Sequence, residues 1–288
     1  MVPFLKDFLA IAAELTFLFV AITILISFLQ SLIPLEKVEK KIKSTNKLFA
    51  SFLAVFFAFL TPFCSCSTIP IVVHLLKNKI PFGIVMVFLF ASPVLDPTIL
   101  TIMGVMLGWK VTILYTLLTS LLTIIIGLVI EALGFERYVK QVVMKNFASK
   151  ASESFSFHRA WREVLTLMRD VFPYLLIGAG IGAGIHNFVP TEWISEFLGD
   201  EKWWLVPVAA VIGIPLYIRL SSMIPISQIL VMKGMALGSV MALLISSAGA
   251  SLPEVVMLKS IFKKELVMTF LVSIFTMAST SGFIFYLI

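Results

Sequence analysis

Charge is what this chain has least of. Of 288 residues only 13% are Asp, Glu, Lys or Arg, about half of what a soluble domain carries. Cysteine is nearly absent: the two present, Cys64 and Cys66, are one residue apart, so a disulfide framework is excluded and a bridge between them would be strained. No glycine-rich P-loop occurs, so an ATP-driven pump would need a separate ATPase subunit. No signal peptide is evident either, since the first apolar run, Phe8 to Pro34, is too long for a signal core and lacks a clear cleavage site.

What is abundant is apolar surface. The chain is 60% hydrophobic with a mean hydropathy of +1.06, which marks an integral membrane protein. The formal charge of +6 does not point to nucleic acid, because the basic residues sit in short loops between apolar runs. The fold expected is all-α: a polytopic membrane protein of two inverted-topology repeats with broken helices and re-entrant hairpins. Residues 1–130 read as an N-terminal membrane repeat, 131–170 as a polar cytoplasmic linker, and 171–288 as a C-terminal membrane repeat.

The repeat is visible as a shift of 155 residues. It sets Pro70, Gly83 and Ser92 on Pro225, Gly238 and Ser247, with apolar identities between them. Loop charge tests the inversion. Leu35–Lys47 carries lysines at 37, 40, 41, 43 and 47, whereas its counterpart, Thr191–Lys202, is acidic. Equivalent loops therefore read as facing opposite sides, the first cytoplasmic and the second external. Leu48–Leu60 is too short to span alone and reads as one arm of a hairpin that returns through Ile69–Leu76. Pro81–Met106 and Ala236–Leu258 read as broken spans, Val111–Ile130 as an unbroken one. The rival reading makes every apolar piece a crossing. Gly178, Gly180, Gly182 and Gly184 give the span Val171–His186 a small-residue face for helix packing.

Four stretches are expected to be unwound at mid-depth: Pro62–Thr68, Ala91–Pro97, Pro215–Ile224 and Ser246–Pro253. Non-helical backbone in a membrane is tolerated only where protein buries it or water reaches it. The stretches bring helix ends, whose N-termini favour anions, and the hydroxyls of Ser65, Ser67, Thr68, Ser92, Ser221, Ser222, Ser246, Ser247 and Ser251. Any one of these serines is more simply a helix cap. As a set at repeat-related positions they read as a solute site. Cys64 and Cys66 carry the sharpest chemistry, because thiolates select soft centres, and trivalent arsenic is thiophilic in the same sense. Two sulfurs do not close a structural zinc site, so no resident metal or cofactor is expected. Asp96 and Arg219 lie in different breaks and can pair, or Arg219 can receive an anion. Glu14 and Glu254 are the candidate coupling carboxylates, since intramembrane ionisable groups are functional suspects.

The run Thr61-Pro62-Phe63-Cys64-Ser65-Cys66-Ser67-Thr68-Ile69-Pro70, followed by Pro81-x-Gly83, Ala91-Ser92-Pro93 and Gly213-Ile214-Pro215-Leu216-Tyr217, resembles the bacterial ArsP/YraQ-type permeases over most of the chain. The resemblance implies a multi-pass inner-membrane permease, in some members an exporter of trivalent organoarsenicals. It implies Cys64, Cys66 and Pro70 as motif positions and brings Tyr217 into the site. The chain departs from the expected pattern after Tyr217, where Ile218-Arg219-Leu220-Ser221-Ser222 stands in place of a small or cysteine-bearing turn. A cation there favours an anion or a neutral thiophile over a bare metal ion.

The function expected is thus that of a secondary transporter, not an enzyme, moving a small thiophilic or sulfur- or arsenic-containing solute. Its partners are that solute and the lipid bilayer, with no nucleic acid. Self-association into a homo-oligomer stays open. The alternatives are a membrane thiol-redox protein cycling Cys64 and Cys66, and a passive channel.

Overall fold

The computed structural model describes residues 46–60, 65–77, 80–140, 203–215, 224, 227–228, 230–231 and 235–287. Those residues form helices joined by turns, with no strand among them beyond one isolated bridge. The helices are α1 (Lys47–Leu60), α2 (Ser65–Lys77), α3 (Phe82–Ala91), α4 (Pro97–Met106) and α5 (Trp109–Ala132), then a 3-10 turn at Phe135–Tyr138. After residue 203 come α6 (Leu205–Gly213), α7 (Leu237–Gly249), α8 (Leu252–Ile261) and α9 (Lys264–Tyr286).

Two of these, α5 and α9, are long and apolar enough to cross a membrane alone. With 24 and 23 residues they extend roughly 35 Å at about 1.5 Å per residue, against a hydrocarbon core about 30 Å thick. Their outward stripes follow helical spacing: Trp109, Ile113, Leu117, Leu121, Ile125 and Val129 on α5, Met268 and Val272 on α9. α7 and α8 together make a third span if the 43° bend between them is counted as part of it. Inside lie α3, buried at every residue, and α7, buried from Gly238 to Gly249.

The register of 155 residues reappears in the helix starts. Adding 155 to 82, 97 and 109, where α3, α4 and α5 begin, gives 237, 252 and 264, where α7, α8 and α9 begin. The packing repeats as well: α3 lies on α1 and α5, and α7 lies on α6 and α9. The tightest crossings are equivalent. A Cβ built on Gly127 would lie 2.9 Å from the Gly83 carbonyl oxygen, and one on Gly238 would lie 2.3 Å from that of Gly282. Only residues without side chains allow α5 onto α3, and α9 onto α7, at that distance.

The halves meet where α2 packs on α8 and α5 on α9, and two further contacts are well defined. Phe90 of α3 stacks on Phe270 of α9, with ring centroids 5.0 Å apart and planes 10° from parallel. Just beyond the C-terminus of α5, Val139 forms an antiparallel bridge with Phe262, just before α9. Lys140 N–H donates to the Ile261 carbonyl and Lys263 N–H to that of Tyr138, each at 2.9 Å. One apolar core runs through both halves.

Three expectations need correction. α2 is helical from Ser65, so Cys66, Ser67 and Thr68 lie in its first turn and not in an unwound stretch, with Pro70 inside the helix. Pro70 has no N–H to give the Cys66 carbonyl, so the helix tolerates one missing bond and continues. The break expected over Ser246–Pro253 shrinks to Ala250 and Ser251, because α7 continues through Gly249 and α8 starts at Leu252. Finally, α5 runs on through Glu131 to Ala132, past the expected start of the linker.

Candidate functional site

The break between α3 and α4 is the best-defined part of the site. α3 ends at Ala91 because Pro93 and Pro97 follow closely and cannot continue its ladder. The intervening backbone is held by tight bonds: Ser92 N–H to the Phe88 carbonyl at 3.0 Å and Leu95 N–H to that of Ala91 at 2.9 Å. Tyr115, fully buried on α5, donates its hydroxyl to the Val94 carbonyl at 3.0 Å and pins the break to the spanning helix. Asp96 then starts α4. Its Oδ1 accepts from Ile99 N–H at 3.4 Å, an N-cap, and Pro97 occupies the first helical position.

Thr68 and Ser92 are both buried, and their hydroxyls lie 3.2 Å apart. This contact ties the first turn of α2, which carries Cys66, to the α3–α4 break. α2 in turn packs on α8, so the cysteine-bearing element contacts the second half. Ile80 N–H, bonded to the Leu75 carbonyl at 3.2 Å, folds the other end of α2 back toward α3.

The second half presents the equivalent break. Ser251 stands at the N-cap of α8, where the 155-residue register sets it on Asp96. Ser246 and Ser247 fall in the last turn of α7 and give their hydroxyls to the Leu243 and Leu244 carbonyls, at 3.2 and 3.1 Å. Gly213 at the end of α6 leaves room for Ser246, whose Oγ would lie 1.9 Å from a Cβ there. Glu254, in the first turn of α8, is completely buried. It precedes Phe262 by eight residues, about 12 Å of helix inward from the Val139–Phe262 bridge. A carboxylate in a first turn sits at the favourable end of the helix dipole.

The fold therefore gathers Thr68, Ser92 and Asp96 around one break, and Ser246, Ser247 and Glu254 around its counterpart. Ser65, Cys66 and Ser67 lie on the first turn of α2. Glu14, Cys64, Tyr217, Arg219, Ser221 and Ser222 lie outside the described residues. Among the described residues no three His, Cys, Asp or Glu side chains are grouped so as to hold a metal ion. A cavity of about 310 Å³ between α4 and α5, beside Phe59, Trp109, Ile113 and Leu117, opens toward the lipid-facing surface. Its hydroxyls on Thr101, Thr112 and Thr116 bond their own helix backbones, which leaves an apolar groove ill-suited to a polar solute.

Two residues escape sequence reasoning. Tyr115 looks like any aromatic in an apolar run. Glu131 looks like the first residue of a polar linker, yet its Oε1 lies 2.6 Å from Lys47 Nζ while its Oε2 accepts from Gly83 N–H at 2.9 Å. Carrying the 155-residue register past residue 92 would have exposed the Gly127–Gly282 match.

Comparison with known proteins identifies a family. The family model ArsP_1, described as a predicted permease, matches residues 3–287. The UPF0718 protein MJ0584 of Methanocaldococcus jannaschii is 22% identical over 282 residues, covering 77% of this chain and 77% of its own. The UPF0718 protein YraQ of Escherichia coli K12 is 25% identical over 240 residues, covering 83% of this chain and 68% of its own. A Streptococcus mutans protein, whose name proposes it as a subunit of a two-component membrane permease complex, is 21% identical over 275 residues, covering 92% and 89%. No solved structure matches. With nearly its whole length matched, the chain belongs to the ArsP_1 family of predicted permeases.

Proposed function

We propose that this protein is a secondary transporter of a small thiophilic or sulfur- or arsenic-containing solute, which contacts Cys64 and Cys66 at mid-depth between two inverted repeats. The observation that carries this reading is how the helix ends are arranged. α1 begins at Lys47, beside the C-terminal end of α5, and α6 begins near Val206, which meets Gly282 close to the C-terminal end of α9. The Val139–Phe262 bridge sets the C-terminal end of α5 beside the N-terminal end of α9. This arrangement supports equivalent spans running in opposite senses, as inverted repeats require.

The depth of the thiols supports the same reading. From Cys66 to Lys77 is about 16 Å of helix, roughly half the hydrocarbon core. The turn at Ile80 and the Glu131–Gly83 contact support a reading in which the Lys77 end lies toward the ends of α1 and α5 that carry Lys47 and Glu131. The N-terminus of α2 offers partial positive charge to an anion or thiolate there. Ser65, Ser67, Thr68, Ser92, Ser246 and Ser247, with Asp96, Tyr217, Arg219, Ser221 and Ser222, complete the proposed solute contacts. Glu14 and Glu254 are the proposed coupling groups, Glu254 because a carboxylate buried at the α7–α8 break can carry a proton between faces. The chain would act in the bacterial inner membrane, alone or as a homo-oligomer. The name of the Streptococcus relative adds a partner subunit as a second arrangement to be tested.

The test is a thermal-shift screen of purified protein against arsenicals, thiosulfate, sulfite and soft metal ions, followed by flux of the hits in proteoliposomes. Cys64→Ser/Cys66→Ser should abolish flux. Undiminished flux of every thiophile in that variant would remove the thiols from the mechanism.

A further inference from the structure

We propose that the ribbon between the two halves, through Arg137, Lys263 and Lys264, binds the headgroup of one anionic phospholipid at the membrane surface. The inference goes beyond the solute reading and does not depend on it.

The cations are brought together by backbone pairing. Lys140 N–H donates to the Ile261 carbonyl and Lys263 N–H to that of Tyr138, each at 2.9 Å, around the Val139–Phe262 bridge. Two segments far apart in the chain thus place Arg137, Lys140, Lys259, Lys263 and Lys264 together, against the carboxylates of Glu136 and Glu265. The charge of Glu131, in the last turn of α5, is matched by Lys47. A surplus of positive charge remains. Lys140 turns its ammonium onto the Lys259 carbonyl near the C-terminal end of α8, and so serves the fold. Arg137, Lys259, Lys263 and Lys264 are exposed. The Arg137 guanidinium lies 5.0 Å from the centre of the Tyr138 ring, which holds it beside the ribbon.

The level of these cations in the membrane follows from the two spans. Lys264 begins α9 and precedes Met268 by four residues, as Met268 precedes Val272. Residues four apart share a helix face, so Lys264 heads the outward apolar stripe of α9, about 6 Å along the axis from Met268. On α5 the outward stripe runs through Val129 to Leu133, four residues before Arg137. Both basic ends therefore lie where the hydrocarbon stops and the phosphates begin. Basic clusters at that level attract anionic lipid, each cation adding its own increment. The Arg137 guanidinium offers a planar pair of donors to a phosphate. A soluble anion would meet the same charges, but it has no acyl chain to lie along Met268 and Val272.

The experiment is native mass spectrometry of the full chain, released from mixed micelles with equal phosphatidylglycerol and phosphatidylcholine. Wild type should keep one phosphatidylglycerol in preference to phosphatidylcholine by at least about 5-fold. Arg137→Gln and Lys263→Gln/Lys264→Gln should each lower that preference by at least about 3-fold. Lys264→Arg, which keeps the charge, should retain it. Lys110→Gln, which removes the same charge from the other end of α5, should leave it unchanged. Equal retention of the two lipids by wild type, an equal loss in Lys110→Gln, or an unchanged preference in both ribbon variants would each overturn the site. Displacement of phosphatidylglycerol by equimolar glycerol phosphate or poly-glutamate would mark a site for soluble anions or acidic protein, and would overturn the lipid assignment. No solute enters the measurement, so its outcome is separate from whether flux requires Cys64 and Cys66.

Discussion

Gly238→Ala puts the packing argument to a sharp test. The added methyl would lie 2.3 Å from the Gly282 carbonyl oxygen, 2.8 Å from Tyr286 Cβ and 2.9 Å from the Tyr286 backbone nitrogen. Ordinary contact needs at least about 3.4 Å, so the methyl must retreat about 1 Å. Two of its three neighbours are backbone and cannot rotate away, so α7 and α9 must separate. Overpacking of this kind costs about 2–3 kcal/mol, a drop of about 30- to 150-fold in the ratio of folded to unfolded protein. Gly249→Ala is the internal control. Its methyl would meet Ile274 Cδ1 at 2.8 Å, the far end of a flexible side chain, and a rotamer adjustment should limit the loss to about 1 kcal/mol. Equilibrium unfolding in mixed detergent micelles measures both variants. If Gly238→Ala proves no less stable than Gly249→Ala, the close crossing of α7 and α9 is wrong.

Tyr115→Phe should cost about 1–2 kcal/mol, because it removes the hydroxyl bound to the buried Val94 carbonyl. Hydrogen exchange near residues 94–99 should rise with it, and an unchanged profile would mean that the break is held by other contacts. Asp96→Ala should cost about 1 kcal/mol through loss of the α4 cap, whereas Asp96→Asn should stay within a few tenths, read from the same unfolding titrations. Thr68→Val and Ser92→Ala should show a coupling of about 1 kcal/mol in a double-mutant cycle, and simple additivity would mean that their 3.2 Å contact contributes nothing.

The helical frame is largely legible in the sequence because it follows from two simple constraints. Apolar run length sets α5 and α9, and the proline-bracketed interval 92–97 sets the first broken span. The register of 155 residues, read from identities between 67–92 and 222–247, continues through helices that share little side-chain identity. What repeats there is backbone geometry at Gly83, Gly127, Gly238 and Gly282. The cysteine segment misleads for a local reason. Two prolines suggest an unwound chain, but a helix beginning at Ser65 loses only one bond at Pro70. Glu131 is illegible because its partners, Lys47 and Gly83, lie 84 and 48 residues away, and no local pattern distinguishes a carboxylate that ends a span from one that begins a linker.

The stitch between Val139 and Phe262, with the ring stack of Phe90 on Phe270, joins the halves at points outside residues 141–202. Severing the chain within that interval would leave both joints intact. Two polypeptides, one ending after Lys140 and one beginning before Trp203, would keep the residues of both contacts. The covalent link then fixes which halves meet and in what ratio, while these two contacts are ones that two separate genes could also encode.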